Sequence, residues 1–216
     1  SSNALMLSAI ASGFVSSTAT IASLGMEVRA GRGEARANAG AALMSCVATL
    51  AQMLIIVAGV NLAWFKLLII PSLVGIAILV VAGVWLLKRH KNTATAKPET
   101  DTRMFSLKEA AIIVATLTAI QAMVYGLEQT LGDAGLIIGT LLASLFEVHG
   151  AIATVVMQGP PSQKVLLYAL ILGLVAHAIA KCVNAVLIGG LRFALYFTPA
   201  QILHMLALVA ILYMQV

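Results

Sequence analysis

The chain has 216 residues, 61% hydrophobic and 10% charged, with a formal net charge of +5. Soluble domains carry about a quarter charged residues, and one of this composition could not hide its apolar surface, which excludes the soluble globular classes. The basic excess lies between apolar runs, where it reports membrane orientation rather than a nucleic-acid partner.

The opening Ser1-Ser2-Asn3-Ala4 lacks an initiator Met and reads as residues 1–4 of a cleaved tag, to be left out of fold reasoning. The first apolar run, about Leu5 to Met26, is rich in Ser, Thr, Ala and Gly, so it is expected to be covered by other helices. A basic loop with Arg29, Arg32 and Arg36 leads to a second span over about Ala39 to Val60. Asn61 to Lys66 is a turn, with Trp64 suited to the membrane interface. The third span is placed at about Leu67 to Leu87, with Pro71 in its first turns, where a missing N–H costs least. Residues 5–91 form the first half, and the polar segment 92–105 is the linker.

Residues 106–216 hold a connector span and the second half. Ser106-Leu-Lys-Glu109 reads as a capping box opening the fourth span, about Ala110 to Leu127. The fifth, about Ala134 to Met157, repeats Gly135, Gly139 and Ala143 every four residues, a smooth face for close packing. The sixth runs from about Val165 to Ile188 and ends at Gly189-Gly190; Thr198-Pro-Ala-Gln201 is expected to cap a seventh.

The fold class read from this pattern is an all-α polytopic membrane bundle of about seven spans, in the cell's inner (cytoplasmic) membrane. The loops 27–37, 88–108 and 158–164 hold ten of the thirteen Lys/Arg residues. The positive-inside rule places all three in the cytoplasm. Spans one and five then run the same way, which predicts a parallel repeat of spans one to three in spans five to seven. Sliding the stretch 144–157 back by 131 positions lays Glu147 on Ser16 and matches Ile152, Ala153 and Met157 to Ile21, Ala22 and Met26. A second stripe, Ser45, Thr49 and Gln52, answers His177, Lys181 and Asn184 at an offset of 132.

Glu147 is the acidic residue placed deepest in a span, and an ionised group at bilayer centre costs about 2.5–3.5 kcal/mol. On a regular helix it lies roughly 15 Å from the cytoplasmic end, level with His177 and a turn below Lys181. These three form the expected ion or polar-solute site, joined by Asn184 and Gln52. Ser16, Ser17 and Thr18 are candidates for hydroxyls and freed backbone at a helix break. His149, two residues from Glu147, faces away from it unless the helix is unwound near Gly150. The bland alternative is that Glu147, His177 and Lys181 only tie helices together. His204 reads as a satisfied interior residue, and Cys46 and Cys182 as small packers. No metal-ligand spacing or cofactor motif is present, and no catalytic motif, so no enzyme is expected.

Gly13-Phe-Val-Ser-Ser-Thr-Ala-Thr20 before a basic loop, and Phe146-Glu-Val-His149 ahead of a small-residue helix, resemble an uncharacterised membrane family, domain of unknown function 4010. The resemblance implies an acidic residue with His two positions on, matched by Glu147 and His149, and a basic residue in the next helix, matched by Lys181. It also implies Arg in span two, where this chain has Gln52. The family is often found C-terminal to an MgtC/SapB-type domain, which implies such a domain as a partner. A Ser-Ser-Thr-Ala run occurs too in Kef-type cation/proton antiporters. The leading expectation is a transporter or channel-like protein for a small ion or polar solute. The alternative is a regulatory or assembly module acting in a homo-oligomer or with an MgtC-like membrane domain.

Overall fold

The computed structural model describes residues 2–88 and 107–215, and the regular structure among them is entirely α-helical. The expected linker 92–105 and Ser106 of the capping box lie outside the described residues. The helices are α1 (Ser2–Arg29), α2 (Ala35–Val60), α3 (Leu62–Lys88), α4 (Leu107–Leu131), α5 (Asp133–Phe146), α6 (Val148–Gln158) and α7 (Lys164–Gln215). Among the described residues α2, α3 and α7 are long and apolar enough to cross a membrane, and Asn3–Phe14, Asp133–Leu145 and Val148–Gln158 are shorter apolar helices. The chain is built for a lipid environment.

Single non-helical residues punctuate these helices. Asn61 alone separates α2 from α3, and its side-chain oxygen accepts from the Ala63 amide at 3.1 Å. α3 therefore starts earlier than expected, and Pro71 sits inside it rather than in its first turns. Gly190, at φ 79° and ψ 171°, breaks α7. A positive φ favours glycine, which has no Cβ to clash. On a straight helix Cys182 and Thr198 would be about 24 Å apart, yet the Thr198 hydroxyl lies beside the Cys182 thiol, so the chain doubles back at Gly190. Thr198 and Pro199 are thus within a helix already under way and do not cap it.

The chain forms two compact units. One comprises Ser1–Leu54, Leu68–Glu99 and Ala178–Val216. Glycines set its helix spacing: a Cβ on Gly40 would stand 2.9 Å from the Gly83 carbonyl of α3, and a Cβ on Gly25 2.9 Å from Gly189 Cα of α7. Ala37, Met44 and Leu87 pack together, with Leu5, Met6 and Ile10 of α1 laid against them. Residues 2–4, set aside from the sequence, are the first residues of α1.

The other unit comprises Ile55–Leu67 and Thr100–His177. Here α4 packs on the small-residue stripe of α5 as expected: Gly135 abuts the Leu127 carbonyl, and a Cβ on Gly139 would stand 3.0 Å from Val124 Cα. Trp64 is not an interfacial side chain open to lipid. It is fully buried and donates its indole N–H to the Gly159 carbonyl at 2.8 Å, while Asn61 donates to the Val156 carbonyl at 3.3 Å. Both bonds cap carbonyls left over at the end of α6.

Those bonds join loops that the charge pattern separates. The charge count puts the Asn61–Lys66 turn outside and the 158–164 loop inside, but the two touch. In the first unit Arg29 donates to the Leu187 carbonyl at 2.9 Å, so the loop after α1 meets the turn at Gly190, again a pair assigned to opposite sides. Within each unit, loops expected on opposite sides of the membrane therefore meet. Charge counting does not decide between the arrangements, because exchanging Lys164 for Arg192 between the two sides leaves the basic excess unchanged.

Candidate functional site

Two apolar helical runs are each interrupted near their middle by one extended residue. In α1 it is Ser16, at φ −163° and ψ 109°, and between α5 and α6 it is Glu147, at φ −146° and ψ 105°. The expected continuous fifth span is thus two helices. Such a break leaves carbonyls unpaired at the end of the first helix and amides unpaired at the start of the second, and in an apolar setting each needs a partner.

At Ser16 the hydroxyl accepts from the Ala19 amide at 3.2 Å, an N-cap made across three residues. Thr20 donates to the Ser16 carbonyl at 2.9 Å and touches Ser12 Oγ at 3.1 Å. On the carbonyl side Gln52 of α2 donates to the Phe14 carbonyl at 2.6 Å. α2 comes this close because Gly13 lacks a side chain; a Cβ there would lie 2.7 Å from both Cα and O of Ser45. Beyond the break, Lys181 is 2% exposed, donating to Thr49 Oγ1 at 3.2 Å and facing Cys46 Sγ at 3.7 Å. Thr49 in turn donates to Ser17 Oγ at 2.7 Å. A buried cation is therefore wired through two hydroxyls to the residue next to the break.

Glu147 repeats the Ser16 cap with a charged group. Its Oε2 accepts from the Gly150 amide at 2.6 Å, again three residues on, and its Oε1 lies 2.7 Å from His149 Nδ1. The carboxylate is favoured there because the free amides carry the positive end of the α6 dipole. His149 reaches it only because the chain is extended at Glu147, which fulfils the condition set by the sequence. The carboxylate is 31% exposed and the imidazole 20%, so the pair is neither sealed nor fully solvated. His177 does not pair with Glu147; its Nδ1 lies 2.9 Å from the Ser144 carbonyl, the counterpart of Gln52 on Phe14. A carbonyl only accepts, so Nδ1 carries the proton and a neutral His177 would present Nε2 as an acceptor. Thr140 and Ser144 are fully buried, and neither hydroxyl has a hydrogen-bond partner among the described residues. Gly173 makes this crossing close, since a Cβ there would meet Ser144 Oγ at 2.7 Å.

The expected single Glu/His/Lys cluster is thus described as two places. Glu147, His149 and His177 belong to one unit, and Ser16, Ser17, Thr18, Gln52, Lys181 and Asn184 to the other. Thr18 and Asn184 are half-buried. Sequence reasoning did not single out Ser144 or Thr140, although both lie on the buried face of α5 one and two turns before the break. Cys46, read as a packer, also faces the Lys181 ammonium. His204 is an interior residue, 2% exposed, with its ring set against the backbone of Ala200 and Gln201. Among the described residues no group of His, Cys, Asp and Glu is arranged to hold a metal ion.

Comparison with known proteins places the chain in a family. Residues 1–189 match the family described as Domain of unknown function (DUF4010), and the chain belongs to it. No curated protein and no solved structure matches the chain.

Proposed function

We propose that this DUF4010 member is a multi-pass transporter or channel-like protein of the cell membrane that moves a small ion or polar solute, with Glu147 as the carboxylate that binds it. The observation that carries the reading is the extended residue at Glu147, which presents a carboxylate and freed backbone groups in the middle of an apolar helical run. Discontinuous membrane helices of this kind form ion and substrate sites in transporters. One carboxylate oxygen is committed to the Gly150 amide, which fixes the group in place. The other is held by His149, so an arriving proton or cation competes with one imidazole rather than with a buried lysine.

Two halves of opposite orientation fit this reading. Each consists of a broken helical run (α1, or α5 with α6), then 26 residues of helix (α2, or α7 before Gly190), a one-residue break and a further helix. The second helices, α2 and α7, start 129 positions apart. The loop after α1 meets the Gly190 turn, and the Asn61 turn meets the loop after α6, the exchange of ends that an inverted repeat produces.

The test is flux in proteoliposomes, with proton, sodium and potassium gradients offered separately, for wild type and Glu147→Gln. Gln keeps an oxygen to accept from Gly150 but loses the charge, so the variant should retain its thermal midpoint while flux falls at least about tenfold, the effect of losing roughly 1.4 kcal/mol of binding. Wild-type flux in a folded Glu147→Gln would refute the reading. A loss of stability with no flux in either protein would leave Glu147 a packing residue in an assembly module.

A further inference from the structure

Each oxygen of the Glu147 carboxylate already faces a donor, which limits what the break can bind. Oε2 takes the Gly150 amide at 2.6 Å, and Oε1 lies 2.7 Å from His149 Nδ1. A carboxylate only accepts, so Nδ1 carries the imidazole proton and Nε2, on the other side of the ring, is the basic nitrogen. His177 and Lys181 are buried, whereas both members of this pair are partly exposed and open to an arriving ion. A metal cation would have to displace Nδ1–H from Oε1 and gather further ligands, and among the described residues no third His, Cys, Asp or Glu joins the two. A proton displaces nothing.

We infer that the ion bound at this break is a proton and that Nε2 of His149 takes it; the inference rests on the transport reading of Glu147 and names its ion. A proton from water bonds to Nε2, Nδ1–H stays on Oε1, and the pair passes from one negative charge to none. If the Nδ1 proton shifts onto Oε1, Nε2 still holds the added one, so the count is the same. An apolar setting favours the pair without net charge, and release to water restores the charged form. Glu147 is then the positioning residue that fixes the tautomer. The other titratable groups on the packed elements are His177 of α7, on the Ser144 carbonyl, Asp133 at the opposite end of α5, and, at the far end of α6, Glu128 of α4, bonded to Gln158, and Lys66 in the first turns of α3.

Nitrogen-15 NMR of the full chain labelled at histidine, in detergent, reads both ring nitrogens, and the His149 signals are those missing from His149→Asn. Nδ1 should carry a proton throughout, while Nε2 changes from bare to protonated as the sample is acidified. Asn keeps an N–H for Oε1 but has nothing to titrate. In liposomes holding a pH-sensitive dye, His149→Asn should therefore keep its thermal midpoint and lose the proton movement that wild type shows. Should it not fold, His149→Gln should show the same loss. A bare Nδ1, an Nε2 that never takes a proton, proton movement at the wild-type rate in a folded variant, or sodium or potassium flux without proton movement would overturn the proton site and leave the transport reading standing. The expected NMR result with no flux of any ion would keep the proton site and sink transport.

Discussion

The interruptions at Ser16 and Glu147 solve the same backbone problem with different chemistry. Both residues are extended, both cap the amide three positions on, and both face a side chain from the following long helix that takes a carbonyl of the preceding turn. At Ser16 the cap is a neutral hydroxyl and the charge, Lys181, stands back behind Thr49 and Ser17. At Glu147 the charge is the cap itself. The difference separates a cap that a neutral hydroxyl makes from one that places a charge at the break itself.

The largest expected effect concerns how tightly each break is crossed. Gly13→Ala drives a Cβ into the backbone of Ser45, which cannot swing aside, whereas Gly173→Ala meets the Ser144 hydroxyl, which can rotate. Overpacking costs about 1–3 kcal/mol. Gly13→Ala should fall at the upper end of that range and Gly173→Ala at the lower end, as read by thermal unfolding in detergent. Equal costs would mean that the two crossings are equally rigid.

The caps come next. Removing an N-cap acceptor costs about 0.5–2 kcal/mol. Glu147→Ala should lie in the upper part of that range, since it strips partners from both Gly150 and His149, while Ser16→Ala, with one bond at 3.2 Å, should lie in the lower part. Unfolding midpoints of the two variants in one detergent decide it. The reverse order would mean that Glu147 contributes nothing as a cap.

The smallest effect belongs to the loop after α1, where Arg32 makes two bonds to Glu27 at 2.9 and 3.0 Å. The Arg32 hydrogen bonds hold the Glu27 carboxyl below its ordinary value of 4.5. Its folded value being depressed, any stabilisation is present above about that unfolded value and fades as pH falls through the folded one. Arg32→Gln should therefore unfold marginally earlier than wild type at pH 7 and together with it in acid, because an exposed pair is screened by water. A large gap at neutral pH, or one that persists in acid, would show the loop held by more than this pair.

Much of this was legible in the residues. The apolar runs gave the helices, Gly135, Gly139 and Ala143 marked the face that receives α4, and the match of Ser16 to Glu147 paired the two breaks. The break itself was readable only as a condition on His149, because nothing in Phe146-Glu-Val-His149 disfavours helix strongly; the extended residue is a tertiary outcome. Orientation was lost for a different reason. Lys164 and Arg192 can change sides without altering the charge balance, so only the bonds of Trp64 and Arg29 fix which loops meet. Pro71 and Pro199 were read as helix starts because proline is tolerated there, whereas one-residue turns at Asn61 and Gly190 start both helices earlier.

The proposed function places the two halves head to tail, and the side of the membrane on which each loop emerges tests that proposal directly. Single cysteines at Glu34, Ala63, Ser162 and Arg192, all exposed positions, can be probed with a membrane-impermeant thiol reagent before and after the membrane is opened. Ala63 and Ser162 should be labelled from one side, and Glu34 and Arg192 from the other. Labelling of Ser162 together with Glu34, opposite Ala63, would contradict the account and restore parallel halves.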